Sequence, residues 1–411
     1  MKQKSATHDL QLPFACEAGE LVIGSMTLSR LAARVGRTPF YAYDRALLDT
    51  RVAELRRALP DAFKLHYAVK ANPMPALVGH MAKRVDGLDV ASAGEMAIAL
   101  DAGMPASEIS FAGPGKGEHE LHQAVAAGVL MNVESTTELE RLARIGDATG
   151  WRPRVALRVN PDFELKTSGM RMGGGPKQFG IDAETVADVI AQARRLGLGI
   201  EGFHLFAGSQ NLHAEAIADA QQKSFALACR LAEHLDTPLA SLNLGGGFGI
   251  PYFPGNLPLD LAPIAATLGD IADQAAARLP GVELCIELGR YLVGEAGIYV
   301  CRVIDRKVSR GEVFLVTDGG LHHHLAASGN FGQVLRKNYP LAIGNRYDAE
   351  AVEQSSVVGP LCTPLDLLGD RAWLPRAEIG DLVVIFQSGA YGASASPQRF
   401  LGHPAVAEVL V

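Results

Sequence analysis

A regular alternation of short apolar runs and helical patterns, from residue 64 to residue 290, limits most strongly how this chain can fold. Each run has the length of a buried strand and ends in polar or glycine-rich residues, which is typical of strands in a parallel sheet. Helical patterns separate most of the runs, as at 184–196, 217–235 and 261–279. Eight such units over a length close to the ~250 residues of a TIM-like (β/α)8 barrel predict that α/β fold. The predicted strands are 64–70, 87–92, 109–114, 129–135, 154–160, 200–209, 241–248 and 283–290.

The segments on either side of the barrel predict a second, β-rich domain. After residue 295, runs rich in Val, Ile and Phe follow one another with few helical stretches between them. Before the barrel, residues 38–43 predict a strand, and Asp44 is suited to cap a helix over 45–59. We therefore predict N-terminal strands (1–43) that join the β domain, a barrel (44–290) and a C-terminal β-sandwich or β-barrel domain (291–411).

Composition excludes several classes of function. The formal net charge is −7 and basic residues are scattered, so a nucleic-acid-binding surface is not expected. No apolar run approaches the roughly 20 residues of a membrane span, and the N-terminal residues lack the apolar core of a signal peptide. The five cysteines are scattered and odd in number, which favours free thiols in a reducing compartment. These features predict a cytoplasmic protein.

Chemically unusual residues stand where the predicted strands end, and the active sites of such barrels lie at that face. Lys70 closes the first strand; burial would favour the neutral amine that reacts with an aldehyde, and the alternative is an ammonium that reaches solvent. The glycines at 245–247 follow the seventh strand, where they can surround a phosphate or simply form a tight turn, and Ser209 can reach the same anion. Glu287 and Arg290 close the eighth strand, either as site residues or as a salt bridge. A lysine, a phosphate loop and a carboxylate together suggest pyridoxal phosphate.

Six motifs follow one another in a specific order between about residue 38 and the C-terminus. They are Tyr67-Ala68-Val69-Lys70-Ala71-Asn72, Gly208-Ser209-Gln210, Gly245-Gly246-Gly247, Glu287-Leu288-Gly289-Arg290, Gly359-Pro360-Leu361-Cys362 and Gly389-Ala390-Tyr391. This ordered set resembles that of the fold-type III pyridoxal-phosphate-dependent decarboxylases, which include the ornithine and diaminopimelate decarboxylases.

The resemblance implies specific roles for these residues. It implies a Schiff base between the cofactor and Lys70, and Glu287 on the pyridine nitrogen. It implies a head-to-tail homodimer in which Cys362 reaches into the partner's active site and returns a proton to the substrate. The other residues that it implies around the cofactor and its phosphate are Asp89, Ser92, Glu95, Arg158, Ser209, Gly246, Gly247, Gly289, Arg290 and Tyr391.

Three departures from the family pattern bear on the substrate. Phe206 stands where the family usually has a histidine stacked on the cofactor ring; phenylalanine can stack but offers no proton. Thr363 replaces the acid that holds the distal amine of a diamino acid. The segment 322–331 lacks the arginine that diaminopimelate enzymes use for the distal carboxylate. We expect His204, Thr363 and Asp366 to contact a substrate that is not an ordinary free diamino acid.

Two further segments carry expectations of their own. Three consecutive histidines, His322, His323 and His324, would point in alternating directions if extended, so we expect them to line the mouth of the site and not to share a metal. The glycine-rich segment 161–180 is predicted to be a mobile loop over the mouth. Residues 359–366 and 400–404 resemble a subgroup found with biosynthetic clusters or with exosortase systems, some members of which decarboxylate an aminoacyl group on a carrier protein.

The prediction is therefore a pyridoxal-phosphate-dependent decarboxylase of an amino acid or aminoacyl derivative. An amino-acid racemase is the nearest alternative, but racemases of this fold resemble one another in placing an arginine at the pyridine nitrogen, so Glu287 and Cys362 favour decarboxylation. A non-catalytic cofactor carrier of this type is usually a bare barrel, which the β-rich segment disfavours. A barrel for an unrelated phosphorylated ligand would leave Lys70 unlinked.

Overall fold

The computed structural model describes residues 12–164, 170–171, 173–333 and 336–411. The chain forms two compact units. One contains Arg51–Ile250 and Pro258–Leu292; the other contains the described part of Met1–Thr50 together with Pro251–Leu257 and Val293–Val411. Six residues of the predicted loop 161–180, at 165–169 and 172, lie outside the described residues, so its mobility stays a prediction.

The first unit is a closed barrel of eight parallel strands, as predicted. Each strand pairs with the next along the chain, and the eighth pairs in parallel with the first through Leu284–Phe63 to Leu288–Tyr67, which closes the barrel. The strands are buried on both faces, which explains why they are continuous apolar runs. In order they are Phe63–Ala68, Gly87–Val90, Ile109–Phe111, Leu130–Val133, Arg154–Asn160, Ile200–Leu205, Ser241–Gly246 and Glu283–Leu288.

Amphipathic helices precede and connect these strands. In one of them, Val186, Val189, Ile190 and Ala193 are buried at helical spacing. The predicted cap of the first helix is present, since Asp44 Oδ1 accepts the N–H of Ala46 at 2.8 Å, a contact typically worth about 1 kcal/mol. The α-helices are Arg45–Ala58, Pro75–Met81, Ala93–Asp101, Glu118–Ala127, Thr136–Thr149, Val186–Arg195, Ala214–Ala232, Ala262–Arg278 and Arg290–Val293. Short strands at Met170–Arg171 and Gly208–Ser209 pair with each other, and Ile181–Asp182 pairs with the fifth barrel strand.

The second unit is built around an eight-stranded sheet, so the prediction of a separate β-rich domain is also confirmed. Strand Phe40–Tyr43 pairs antiparallel with Gly297–Val300 and parallel with Ala407–Leu410. A small sheet of Ala15–Glu17, Glu20–Ile23 and Met26–Thr27 leads into helix Leu28–Val35. The remaining strands are Gly297–Ser309, Glu312–Thr317, Leu341–Ile343, Glu353–Val358, Leu367–Leu374, Leu382–Ile385 and Ala407–Leu410.

The N-terminal segment and this sheet share one apolar core. Leu21, Leu28, Phe40, Val300 and Phe386 are all fully or almost fully buried within it. Burying each such side chain contributes about 1.5–3 kcal/mol, so the N-terminal strands are held to the later sheet by packing as well as by backbone pairing. Among the described residues, no helix is both long enough and apolar enough to cross a membrane.

Candidate active site

A layer of buried polar side chains lies near the C-terminal ends of the barrel strands. Every strand contributes one member, and none is more than 8% exposed. Arg158, His204 and Asn243 are in register across strands five to seven, and Glu287 is in register with His66 where the barrel closes. The members in chain order are His66, Asp89, Ser110, Asn132, Arg158, His204, Asn243 and Glu287. A barrel interior filled only for stability would be apolar, so this layer indicates a site.

Asp89 ends one hydrogen-bonded chain in this layer. The Ser110 hydroxyl donates to Asp89 Oδ1, and the Asn132 amide donates to Ser110 Oγ at 3.2 Å. His66 Nδ1 lies 3.2 Å from the same Asp89 oxygen. The other oxygen, Oδ2, is buried without a partner among the described residues, which leaves an acceptor for a bound group.

Glu287 is the ionised carboxylate of the site. Its Oε2 lies 3.0 Å from His204 Nε2 and accepts a hydrogen bond from Asn243 Nδ2 at 3.2 Å. Burial opposes ionisation, but the charge and hydrogen bond of His204, together with the charges of Lys70 and Arg158, hold the pKa of Glu287 far below its ordinary value. A buried anion is therefore maintained at the mouth of the barrel.

Lys70 lies just beyond the first strand, which ends at Ala68 and continues into a single 3-10 turn, Val69–Ala71. Its side chain is exposed, so of the two alternatives drawn from the sequence the structure shows the lysine that reaches solvent; the turn places it beyond the end of the strand. Its Nζ lies 5.4 Å from the centre of the Phe206 ring, and Phe206 is half-buried beside His204, with 6.5 Å between ring centres. The amine is thus accessible and adjacent to an aromatic face.

The predicted phosphate loop is a rigid cradle of glycines. Gly245 and Gly247 have φ angles of +67° and +81°, a region that favours glycine. A Cβ on Gly246 would overlap the carbonyl oxygen of Glu287, and one on Gly289 would lie 3.0 Å from the side chain of Ala71. The loop therefore approaches its neighbours as closely as a backbone can.

Gln210, which the sequence analysis included in a motif without giving it a role, holds the Ser209 turn against this cradle. It has a left-handed φ of +58°, and its amide pairs with the backbone of Ile250 in both directions, at 2.7 and 3.2 Å. Asn211 N also donates to Gly247 O at 3.0 Å. A strained residue fixed by paired hydrogen bonds next to Ser209 is the kind of position found at ligand sites.

Ser92 and Glu95 cap a helix at the barrel mouth, and Arg290 begins a short helix there. Ser92 Oγ accepts the N–H of Glu95 at 3.2 Å, and Glu95 Oε2 accepts the N–H of Ala91 at 2.8 Å, which together cap helix Ala93–Asp101. Arg290 is half-buried at the start of its short helix. Glu287 Oε2 pairs with His204 and accepts a hydrogen bond from Asn243, two contacts that the sequence did not predict.

Arg158 was predicted from the sequence, but the charged residues grouped with it at the mouth, Lys116, Glu134 and Glu138, were missed. Arg158 Nη1 lies 2.8 Å from Glu134 Oε1, and Lys116 Nζ lies 2.8 Å from Glu138 Oε1; all four side chains are buried. Glu134 directly follows the fourth strand, so the reasoning that selected Lys70 at the first strand could have selected it as well.

The remaining predicted residues belong to the other unit. Cys362 is exposed, Thr363 is half-buried in the same turn, and Tyr391 is half-buried with a φ of +53°. Asp366 is 3% exposed, and its two carboxylate oxygens accept the backbone N–H groups of Leu321 (2.6 Å) and Leu361 (2.8 Å). These bonds give Asp366 a role in fixing the turn that carries Cys362, and its contact with substrate stays a prediction.

The three histidines are almost fully buried, so the expectation that they line an open mouth is not met within this chain. His324 Nε2 lies 2.9 Å from Ser388 Oγ, and His323 Nε2 lies 2.9 Å from the carbonyl oxygen of Pro404. The rings of His322 and His323 are 3.8 Å apart. Over the part of the chain that the structure describes, no group of three or more His, Cys, Asp or Glu side chains is arranged to hold a metal ion.

Known proteins are similar to this chain in both sequence and architecture. Residues 45–294 match the family model described as "Pyridoxal-dependent decarboxylase, pyridoxal binding domain". The L-glutamyl-[BtrI acyl-carrier protein] decarboxylase of Niallia circulans is 39% identical, over 91% of this chain and 88% of that protein. The 2-[(L-alanin-3-ylcarbamoyl)methyl]-2-hydroxybutanedioate decarboxylase of Staphylococcus aureus is 32% identical, over 92% and 95%. The crystal structure of diaminopimelate decarboxylase from M. jannaschii in complex with L-lysine has a TM-score of 0.85 at 25% identity and covers 97% of this chain and 92% of that one.

Proposed function

This chain belongs to the family of pyridoxal-dependent decarboxylases, and from that premise we propose that it removes the α-carboxylate of an amino acid whose distal end is an acyl derivative, such as an aminoacyl group on a carrier protein. It is a carboxy-lyase with pyridoxal phosphate as its cofactor. The observation that carries the assignment of roles is the set of groups at one end of the barrel: an accessible Lys70, a glycine cradle at 245–247 and the buried anion of Glu287.

The side chains at the barrel mouth fit this cofactor. Lys70 offers a primary amine for its aldehyde, the glycine cradle and Ser209 offer N–H and hydroxyl donors for its phosphate, and Glu287 offers an anion for its ring nitrogen. The unpartnered Asp89 Oδ2 is a further acceptor in the same layer. When bound, pyridoxal phosphate supplies an aldehyde that reacts with amines and a ring that withdraws electrons from the bond to the α-carboxylate.

Four residues of the chain would then have separate roles in the reaction. Glu287 would hold a proton on the ring nitrogen, because a buried carboxylate with a strongly lowered pKa remains an anion at neutral pH. Phe206 would cover one face of the ring and exclude water there. Lys70 would bind the cofactor between turnovers, and Cys362 of the partner subunit in a homodimer would deliver a proton to the substrate Cα.

The absence of an acid after Cys362 supports a substrate without a free distal amine. Thr363 is neutral and half-buried, so it cannot form the ion pair that would hold the ammonium of lysine or ornithine. Two relatives are named for substrates in which the amino acid is not free: in one it is a glutamyl group on an acyl-carrier protein, and in the other an alanin-3-yl group in a carbamoyl link. Both points favour a carried or conjugated amino acid over a free diamino acid.

The test is mass spectrometry of reactions in deuterated water, with free amino acids and with carrier-bound aminoacyl groups, using Lys70→Ala as the inactive control. We expect loss of the carboxyl mass with one deuterium at Cα, on the carrier-bound or conjugated substrate only. Deuterium exchange without loss of mass would replace decarboxylation by racemisation. Turnover of free lysine, ornithine or diaminopimelate at comparable kcat/KM would overturn the substrate class.

A further inference from the structure

Four buried charges form a connected group beside the cofactor site. Lys116, Glu134, Glu138 and Arg158 are between 5% and 7% exposed, and they pair as Lys116 with Glu138 and Arg158 with Glu134. The pairs are linked because the backbone N–H of Glu134 donates to Glu138 Oε2 at 3.0 Å. Removing this many charges from water costs free energy even when the charges are paired. We therefore expect the group to have a role that apolar packing could not provide.

Glu134 is the centre of the group. Its Oε1 accepts from Arg158 Nη1 at 2.8 Å and from the N–H of Gly113 at 2.6 Å, and its Oε2 accepts from the N–H of Gly180 at 3.1 Å. Gly113 lies in the turn after the third strand, and Gly180 ends the glycine-rich segment that follows the fifth strand. One carboxylate therefore joins the fifth strand, through Arg158, to the turn at Gly113 and to the segment that ends at Gly180.

Lys116 and Glu138 keep this carboxylate in place. Lys116 Nζ also donates to the carbonyl oxygens of Gly113 at 2.7 Å and Asn132 at 3.0 Å, so it ties the third-strand turn to the fourth strand. Burial alone would raise the pKa of Glu134, but the charges of Arg158 and Lys116 lower it below the ordinary value. The centre of the group is thus an anion that accepts hydrogen bonds from three donors.

Arg158 connects this group to the cofactor site. It is in register with His204, which pairs with Glu287, and its positive charge acts on Glu287. A guanidinium without a partner in this buried layer would seek the nearest other carboxylate, because an unpaired buried charge is unfavourable. Glu287 is a buried carboxylate of the same layer, paired with the His204 that stands in register with Arg158, so a pairing of Glu287 with Arg158 would withdraw it from the ring nitrogen of the cofactor.

We propose that Glu134 is a positioning residue for the cofactor site: it holds the Arg158 guanidinium away from Glu287 and fastens the turns at Gly113 and Gly180 to the barrel mouth. The inference rests on the proposed function for the cofactor contacts. It adds a residue that does not itself touch the cofactor and that acts through Arg158.

The test is a double-mutant cycle on cofactor affinity, with Glu134→Gln, Arg158→Gln and the double variant in the full-length apo-enzyme. The dissociation constant of pyridoxal phosphate is measured from the visible absorbance of the bound cofactor, and stability is measured by thermal melting. Glu201→Gln is the matched control, because Glu201 pairs with Arg154 on the same strand as Arg158 but at its opposite end. Glu134→Asp keeps the charge with a shorter reach and serves if Glu134→Gln does not fold.

We expect Glu134→Gln to weaken cofactor binding at least tenfold, and to have less than a twofold effect when Arg158 is already glutamine. Glu134→Asp should bind the cofactor several-fold more weakly than the wild type, and Glu201→Gln should bind it normally. Equal effects of Glu134→Gln in both backgrounds would overturn the role of Glu134 in holding Arg158 away from Glu287, and normal affinity in Glu134→Asp would overturn the need for the reach of its carboxylate. A wild-type protein that binds no pyridoxal phosphate would overturn the proposed function itself.

Discussion

The substitution Glu287→Gln tests the chemistry of the site most directly. It keeps the size and the ability to accept from Asn243, but it removes a negative charge that is 5% exposed and lies 3.0 Å from His204 Nε2. A hydrogen bond to a charged group is worth about 1.5–3 kcal/mol, compared with about 1 kcal/mol for a neutral one. The ring nitrogen of the cofactor would therefore lose its protonated form, and with it most of the electron withdrawal that Glu287 secures.

We expect kcat to fall about 100-fold, equivalent to about 2.7 kcal/mol of barrier, with cofactor still bound. The assay is release of carbon dioxide at saturating substrate, together with the cofactor content of the purified variant. Glu283→Gln is the control: it lies on the same strand at the opposite end, is exposed and pairs with Lys64 at 2.6 Å. Such a surface pair contributes only about 0.2–1 kcal/mol to stability, so kcat should not change. A kcat within twofold of wild type for Glu287→Gln would refute the assigned role of the carboxylate.

Three further results are expected. Cys362→Ala should retain the visible spectrum of the bound cofactor but slow amine release or divert it to transamination, whereas unchanged turnover would remove Cys362 from the mechanism. Gly246→Ala should lose cofactor and about 1–3 kcal/mol of stability because the added methyl overlaps Glu287 O. The control is Gly269→Ala, where a Cβ meets nothing within 4 Å, and this variant should melt at or above the wild-type temperature. Equal melting temperatures for the two variants would contradict the close approach at Gly246. In urea titrations, the free energy of unfolding should fall as pH drops below about 4.5, because the pKa of Glu134 and of Glu287 is lowered in the folded protein. Glu287→Gln should make this fall with pH less steep. An unchanged slope of stability against pH would show that Glu287 does not contribute.

The barrel and its reactive end were predictable because strand periodicity and barrel geometry act together. Lys70, the glycines at 245–247 and Glu287 each follow an apolar run, and closed parallel barrels bring such positions to one face. The exposure of Lys70 was not predictable, since it depends on a single 3-10 turn that follows Ala68. Periodicity does not report a turn of that length.

The paired charges were missed for a different reason. Lys116 and Glu138 are separated by 22 positions, and nothing in their local sequence shows that they meet. Only the parallel pairing of the third and fourth strands brings the ends of those strands together. The apolar runs that predict the β-rich domain are 298–308, 313–318, 356–361 and 382–387. The strands Leu367–Leu374 and Ala407–Leu410 lie outside these runs because polar residues interrupt their apolar pattern, and pairing with distant strands stabilises them instead.

The pairing of Phe40–Tyr43 with both Gly297–Val300 and Ala407–Leu410 has a consequence for biosynthesis. Every barrel strand lies between residues 63 and 288, so all of them leave the ribosome before the last sheet partner has been made. One edge of strand Phe40–Tyr43 can pair once residue 300 has been made, but the other edge stays open until residues 407–411 have been translated; there Val411 N also donates to Tyr43 O at 2.8 Å. An exposed edge strand is prone to pair with other chains, so a nascent or truncated protein that lacks residues 407–411 should depend on chaperones far more than a chain that contains them.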